Sequence, residues 1–157
     1  MVLGGSSEPA ARRAARIADG FLPSVPEAWP PYRDELQRLG RPDPGPCPIA
    51  DTRTTALAED PDRAWAQMGP FFLHETNAYG EWLASGDGAG PYHIVETVEQ
   101  LRDEGDYRIL TPDEYTEELK ASELPFALLH PLCGGMPIDV AWDSLRLFEQ
   151  AVLPAFS

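Results

Sequence analysis

The stretch VLGGSSEPAARRAARIADGFLP, residues 2–23, constrains the fold more than any other part of the chain. Ser7 suits the N-cap of a helix from about Glu8 to Asp19, because its hydroxyl accepts from an unpaired first-turn N–H, and Pro9 is tolerated where no N–H is needed. Gly20 is placed to end that helix. Within it Ala11, Ala14, Ala15 and Ala18 recur at i, i+3, i+4 and i+7, a stripe of small side chains that lets a helix lie close on a sheet. Arg12, Arg13 and Arg16 fall outside the stripe and are expected to face solvent. Val2-Leu3 before the helix and Gly20-Phe21-Leu22-Pro23 after it read as strand segments, so the unit is β-α-β. The join Gly4-Gly5-Ser6-Ser7 runs into a helix N-terminus, where free N–H groups and the macrodipole favour an anion and glycine permits close approach. That pattern suits a phosphate, and it equally suits a tight turn.

The same grammar continues. Pro30, Pro31, Tyr32, Leu36 and Leu39 before Gly40 mark a short amphipathic helix with an N-terminal proline and a C-terminal glycine. After the loop RPDPGPCP, residues 49–57 (IADTRTTAL) alternate as a strand does. From Asp62 to about Ala84, Ala64, Trp65, Met68, Phe71, Phe72, Tyr79 and Trp82 recur near helical spacing, with Gly69-Pro70 expected to break or kink the run. This aromatic stripe is either core or the wall of a substrate pocket containing His74. SGDGAGP (residues 85–91) reads as a loop, Val95, Val98 and Leu101 as a short helix, and Arg108-Ile109-Leu110 as a strand or a direct lead into the next helix. Thr111-Pro112-Asp113-Glu114 is a capping box. Pro125 to His130 is a continuous apolar run of the kind buried on both faces of a sheet. A last helix should bury Ile138, Ala141, Leu145, Phe148 and Val152 until Pro154 stops it. Strands near residues 2–4, 21–24, 48–57 and 125–130 are expected in one parallel sheet with helices on its outer face.

Composition narrows the function classes. With 157 residues and 43% hydrophobic side chains the chain can bury a core as one domain. Twelve Lys and Arg against 26 Asp and Glu give a net charge of -14, a surface that repels nucleic-acid backbones and anionic lipid. No unbroken apolar run of about 20 residues and no signal-like N-terminus is visible, so the expectation is a cytoplasmic protein with no nucleic-acid or membrane partner. Cys47 and Cys133 are far apart, with no CxxC or paired-His spacing, so neither a metal site nor a disulfide framework is expected.

The segments also match a known order. GGSSEPAARRAARIADGF resembles the middle of the luciferase-like monooxygenase family, where a strand ends in Gly-Gly, an alanine-rich helix follows and Ala-Asp-Gly plus an aromatic opens the next strand. DPDRAWAQMGPFFLHE is similar to that family's later helical insertion, YRILTPDEYTEEL to its late helix start, and HPLCGGMPIDVAWDSLRLFEQAVLPAF to its closing strand and helix. The Ser-Ser-Glu before the helix departs from those members that run from Gly-Gly straight to a proline.

The resemblance implies an α/β fold, the C-terminal half of a (β/α)8 barrel, with residues 1–157 forming a single partial-barrel domain of about strands five to eight. It implies FMN or the deazaflavin coenzyme F420 as cofactor, with Gly4, Gly5, Ser6 and Ser7 at its phosphate and Ser24 on the same rim, and an organic small-molecule substrate with His74 and His130 as pocket residues. Catalytic residues are not named, because in the family the acid-base groups lie in the first half of the barrel. The chain is then expected to work with a missing N-terminal half or as a homo-oligomer, and the alternative is a non-catalytic half-barrel that assembles with itself or a partner.

Overall fold

The structure, a computed structural model, describes residues 1–48, 53–86, 92–122, 127 and 129–156. The chain is mixed α/β and divides into two compact units, one of residues 1–52 with 83–91 and the other of residues 53–82 with 92–157. No helix among the described residues is long and apolar enough to cross a membrane.

In the first unit β1 (Val2–Gly5) and β2 (Gly20–Pro23) pair in parallel, Val2 opposite Gly20 and Gly5 opposite Pro23, and α1 (Glu8–Ile17) connects them. Ala11, Ala14, Ala15 and Ala18 are all buried, as the stripe requires. The helix ends earlier than its sequence suggests: Ala18 is already extended, its N–H bonded to the Ala14 carbonyl, and Gly20 opens β2 instead of closing the helix. The second helix, α2 (Trp29–Arg38), follows a 3-10 turn at Pro26–Ala28. It closes with Gly40 at φ 67, where the Gly40 N–H meets Gln37 O and the Arg41 N–H meets Leu36 O, the paired bonds of a Schellman stop. Arg41 then reaches across to donate to the carbonyls of Ala15 (2.7 Å) and Ala18 (3.2 Å), satisfying the open end of α1.

The arginines of α1 correct the sequence reading. Arg12 and Arg16 do not simply face water: with Arg38 they surround Glu35, which is 1% exposed. Arg38 donates to both carboxylate oxygens (2.6 and 2.9 Å), Arg16 to Oε1 (2.7 Å) and Arg12 to Oε2 (3.3 Å). A buried carboxylate is tolerable only when paired and hydrogen-bonded, and here three guanidinium groups supply both.

In the second unit β3 (Thr54–Leu57) pairs in parallel with β4 (Tyr107–Leu110). Between them run α3 (Pro61–Ala84) and α4 (Val98–Glu104), and α5 (Pro112–Ala121) and α6 (Ile138–Leu147) follow. The helix α3 passes through Gly69-Pro70 without a break. Pro70 and Ala66, whose carbonyl loses its helical partner, are both on the exposed side, while Trp65, Met68 and Phe72 bury the other face. The Trp65 and Phe72 rings meet edge to face at 5.6 Å, and Phe72 lies 5.1 Å from Tyr107, so this part of the aromatic stripe is core. The capping box at Thr111 is formed in both directions.

Three expectations change. The described strands form two separate two-stranded sheets in place of one. Residues 49–52, 87–91, 123–126 and 128 lie outside the described residues, so the strand reading of residues 49–57 is met only at 54–57, the loop 85–91 is described only at Ser85 and Gly86, and of the run 125–130 only Ala127, Leu129 and His130 are seen, none of them in a strand. The last helix buries Val140, Ala141, Ser144 and Val152 and leaves Ile138 exposed. Ser144 takes an inward place because its hydroxyl accepts from the buried Leu57 N–H at 2.8 Å. Past Leu147 the helix widens to a π turn (Phe148–Val152), which delays the register so that Val152 points inward, and Pro154 lies within a closing 3-10 turn.

Two outcomes follow from these contacts. The guanidinium hydrogen bonds, first from Arg38 and then from Arg16, outweigh burial and hold the Glu35 carboxyl down at about 2 from 4.5. Its contribution to stability is therefore complete above pH 4.5 and is lost as pH falls toward 2; urea midpoints across that window should fall in the native chain and change less in Glu35→Gln, which should also be the weaker protein at pH 7. Ser144→Ala, which strands the Leu57 amide, should lower unfolding free energy by about 1–3 kcal/mol in the same assay.

Candidate functional site

The first candidate lies at the carboxyl ends of β1 and β2. The parallel register sets Gly5 opposite Pro23, and the next residue, Ser24, donates its N–H to the Gly5 carbonyl at 2.9 Å. Gly4, Gly5, Ser6, Ser7 and Ser24 are thereby gathered on one rim, ahead of the N-terminus of α1. Their local chemistry is specific. A Cβ on Gly5 would stand 2.7 Å from the Ala10 Cβ, so this glycine is where α1 presses on the strand. A Cβ on Gly4 would meet only the Leu22 carbonyl oxygen at 3.6 Å, an ordinary contact on an exposed backbone. Ser7 caps α1, its hydroxyl accepting from the Ala10 N–H at 3.4 Å. Pro9 has no N–H to give. The groups the rim offers an anion include the backbone amides of Ser6, Ser7 and Glu8 and the hydroxyls of Ser6 and Ser24. The Glu8 carboxylate is drawn along the helix by the Nε of Arg12 at 2.8 Å.

A second cluster was not read from the sequence. Glu75, on α3 and 6% exposed, accepts from the Tyr107 hydroxyl (3.2 Å, to Oε1) and from the Gly134 N–H (2.9 Å, to Oε2). The buried Cys133 sulfur lies within 4.8 Å of a Glu75 carboxylate oxygen, and the His130 Nδ1 lies 3.6 Å from Oε1. Burial first, and then the Glu75 carboxylate, pushes both the Cys133 thiol and the Tyr107 phenol well above their ordinary values. A protonated, donor-only thiol is a poor nucleophile. The Cys133–Gly135 turn is held against α3 by Gly134, which has φ 58 and whose Cβ would fall 2.0 Å from the Phe71 carbonyl oxygen. The spacing His130-x-x-Cys133 was the available signal for this cluster. Glu75 carried none, being one carboxylate among many in a helix.

The two histidines expected in a substrate pocket separate. His74 lies on the exposed face of α3, next to the buried Glu75. His130 is half-exposed and borders a cavity of about 10 Å³, room for about one water molecule. A larger cleft, about 470 Å³, opens beyond the carboxyl end of β3, lined by Leu57, Ala58, Arg63, Met68, Val140 and Arg146 among others. Among α/β folds the carboxyl ends of parallel strands are where ligands gather.

No protein-family model and no curated protein matches the sequence. Among solved structures the chain is similar to the monooxygenase RslO1 from Streptomyces bottropensis, with a TM-score of 0.57. The two are 21% identical, and the match covers 99% of this chain and 48% of that one. The likeness is one of fold, and the chain spans about half the length of the monooxygenase chain it matches.

The two glycines of the rim should respond differently to substitution. Gly5→Ala should destabilise the chain by roughly 1–3 kcal/mol through overpacking against Ala10, whereas Gly4→Ala should stay within about 0.5 kcal/mol, as read by urea denaturation.

Proposed function

We propose that this chain is the C-terminal, phosphate-binding part of an oxidoreductase dependent on FMN or coenzyme F420, built as half of a (β/α)8 barrel of the luciferase-like kind. The observation that carries the reading is the rim itself: Gly4, Gly5, Ser6, Ser7 and Ser24 converge at the carboxyl ends of paired parallel strands, with the exposed Gly4 backbone open to an approaching group. The order of the sequence segments and the fold shared with about half of the monooxygenase RslO1 support it further. The residues present suit a phosphate, with the Ser6, Ser7 and Glu8 amides and the Ser6 and Ser24 hydroxyls as donors. The bound cofactor would supply the redox step, an exchange of hydride or electrons with an organic substrate. The chain's own part is to seat and orient the phosphate on the rim, against a net charge of -14 that otherwise disfavours an anion.

A second reading, a non-catalytic half-barrel that assembles with itself, is favoured by the exposed apolar side chains of α6, Ile138 (65%) and Trp142 (52%), which stand one turn apart. Light scattering on the eluting chain separates the two when combined with cofactor titration.

Binding is the decisive readout. Titrating the chain with FMN and with F420 by fluorescence should give saturable binding of one of them, and Gly4→Val should weaken it by about 1–3 kcal/mol with an unchanged circular dichroism spectrum. Equal affinity in a folded Gly4→Val chain would make the Gly-Gly a turn and nothing more, and a defined oligomer that binds neither cofactor would favour the second reading.

A further inference from the structure

Glu75 and Glu35 are both buried carboxylates, and their partners are opposite in kind. Glu35 has three guanidinium groups on it. Among the described residues, the hydrogen-bond donors on Glu75 are neutral, a phenol and a backbone amide, and the Cys133 sulfur lies within 4.8 Å of it. His130, the nearest basic nitrogen, stands 3.6 Å away and half in solvent. A carboxylate withdrawn from water without a fixed cation is costly, and a bound metal ion is one of the ways proteins resolve it.

The donor set matches such an ion. One oxygen of Glu75, one ring nitrogen of His130 and the Cys133 sulfur all lie within 4.8 Å of one another. Ligand atoms around a tetrahedral zinc, at bonds of about 2.0–2.3 Å, stand roughly 3.3–3.8 Å apart, and the 3.6 Å between His130 Nδ1 and Glu75 Oε1 already lies in that range. Thiolate with imidazole and carboxylate is a borderline-soft set that selects zinc over magnesium or calcium. Charge also closes: a divalent cation with Glu75 and Cys133 as anions and His130 neutral is a net-neutral centre, the thiol proton leaving to solvent. The surroundings hold the ligands in place. Tyr107 and Gly134 fix the carboxylate, and the contact of Gly134 with the Phe71 carbonyl keeps Cys133 over α3.

We propose that Glu75, His130 and Cys133 form a binding site for one zinc-type divalent cation, with a water molecule completing the coordination on the exposed side of His130. This site is independent of the phosphate rim and stands or falls separately from it.

Cobalt(II) added to the full chain is the probe, because a thiolate ligand gives a near-ultraviolet charge-transfer band and four-coordination gives intense visible bands. The expected result is one cobalt per chain, displaced by zinc, with the thiolate band lost in Cys133→Ala and kept in Cys47→Ser. Because Cys133 is buried, His130→Ala, an exposed change that leaves the core intact, is the second variant. It should weaken binding at least roughly tenfold, since loss of even an outer-sphere partner costs about that much. A folded native chain without the thiolate band, a band that survives Cys133→Ala, or unchanged affinity in His130→Ala would overturn the assignment.

Discussion

The seat of α1 on the β1–β2 pair is the constraint from which the first unit follows. Alanine at positions 11, 14, 15 and 18 removes side-chain bulk from the inner face of the helix, and Gly5 removes it from the strand, so that the two backbones approach until the Gly5 α-carbon faces Ala10. Close approach brings the N-terminus of α1 directly behind the end of β1. It also lets Arg41 reach the last carbonyls of α1, and it sets Arg12 and Arg16 over Glu35 of α2. A larger residue anywhere on that stripe would lift the helix and loosen the rim and the ion cluster together.

The second unit is organised by polar groups inside an apolar core. Ser144 is buried to receive the Leu57 amide, and Glu75 is buried to receive the Tyr107 hydroxyl and the Gly134 amide. Each makes a backbone or side-chain donor safe in a dry interior. The two devices differ in reserve. A hydroxyl that accepts one bond is complete, whereas the donors to the Glu75 carboxylate among the described residues are neutral.

What was legible in the sequence were the features that depend on near neighbours. The alanine stripe, the Ser7 and Thr111 caps, the glycine stop after α2 and the parallel β-α-β unit all rest on residues a few positions apart, and the structure carries them. What escaped were partners supplied from a distance. Arg16 reads as a solvent residue until a helix beginning at Trp29 delivers Glu35 to it, and Glu75 reads as one more acid until the Cys133–Gly135 turn folds onto α3. The last helix was misphased for the same reason: a serine at the core face has no local logic, only the demand of an amide at Leu57. The Gly-Gly pair was legible as a whole but not in its parts, because only the structure separates a glycine needed for helix contact from one left open.

The bond between Leu57 and Ser144 also sets a timetable. It joins groups 87 residues apart, whereas Arg41 meets Ala15 across 26. By the logarithmic cost of closing a loop, the longer closure is dearer by about 1 kcal/mol, and low sequence separation favours early folding. Once synthesis has passed residue 100, every helix and strand of the first unit's core is available. Ser144 comes later, so the Leu57 amide waits without its acceptor until α6 has emerged. The order of synthesis therefore lets the contacts of the first unit close before those of the second, which depend on α6.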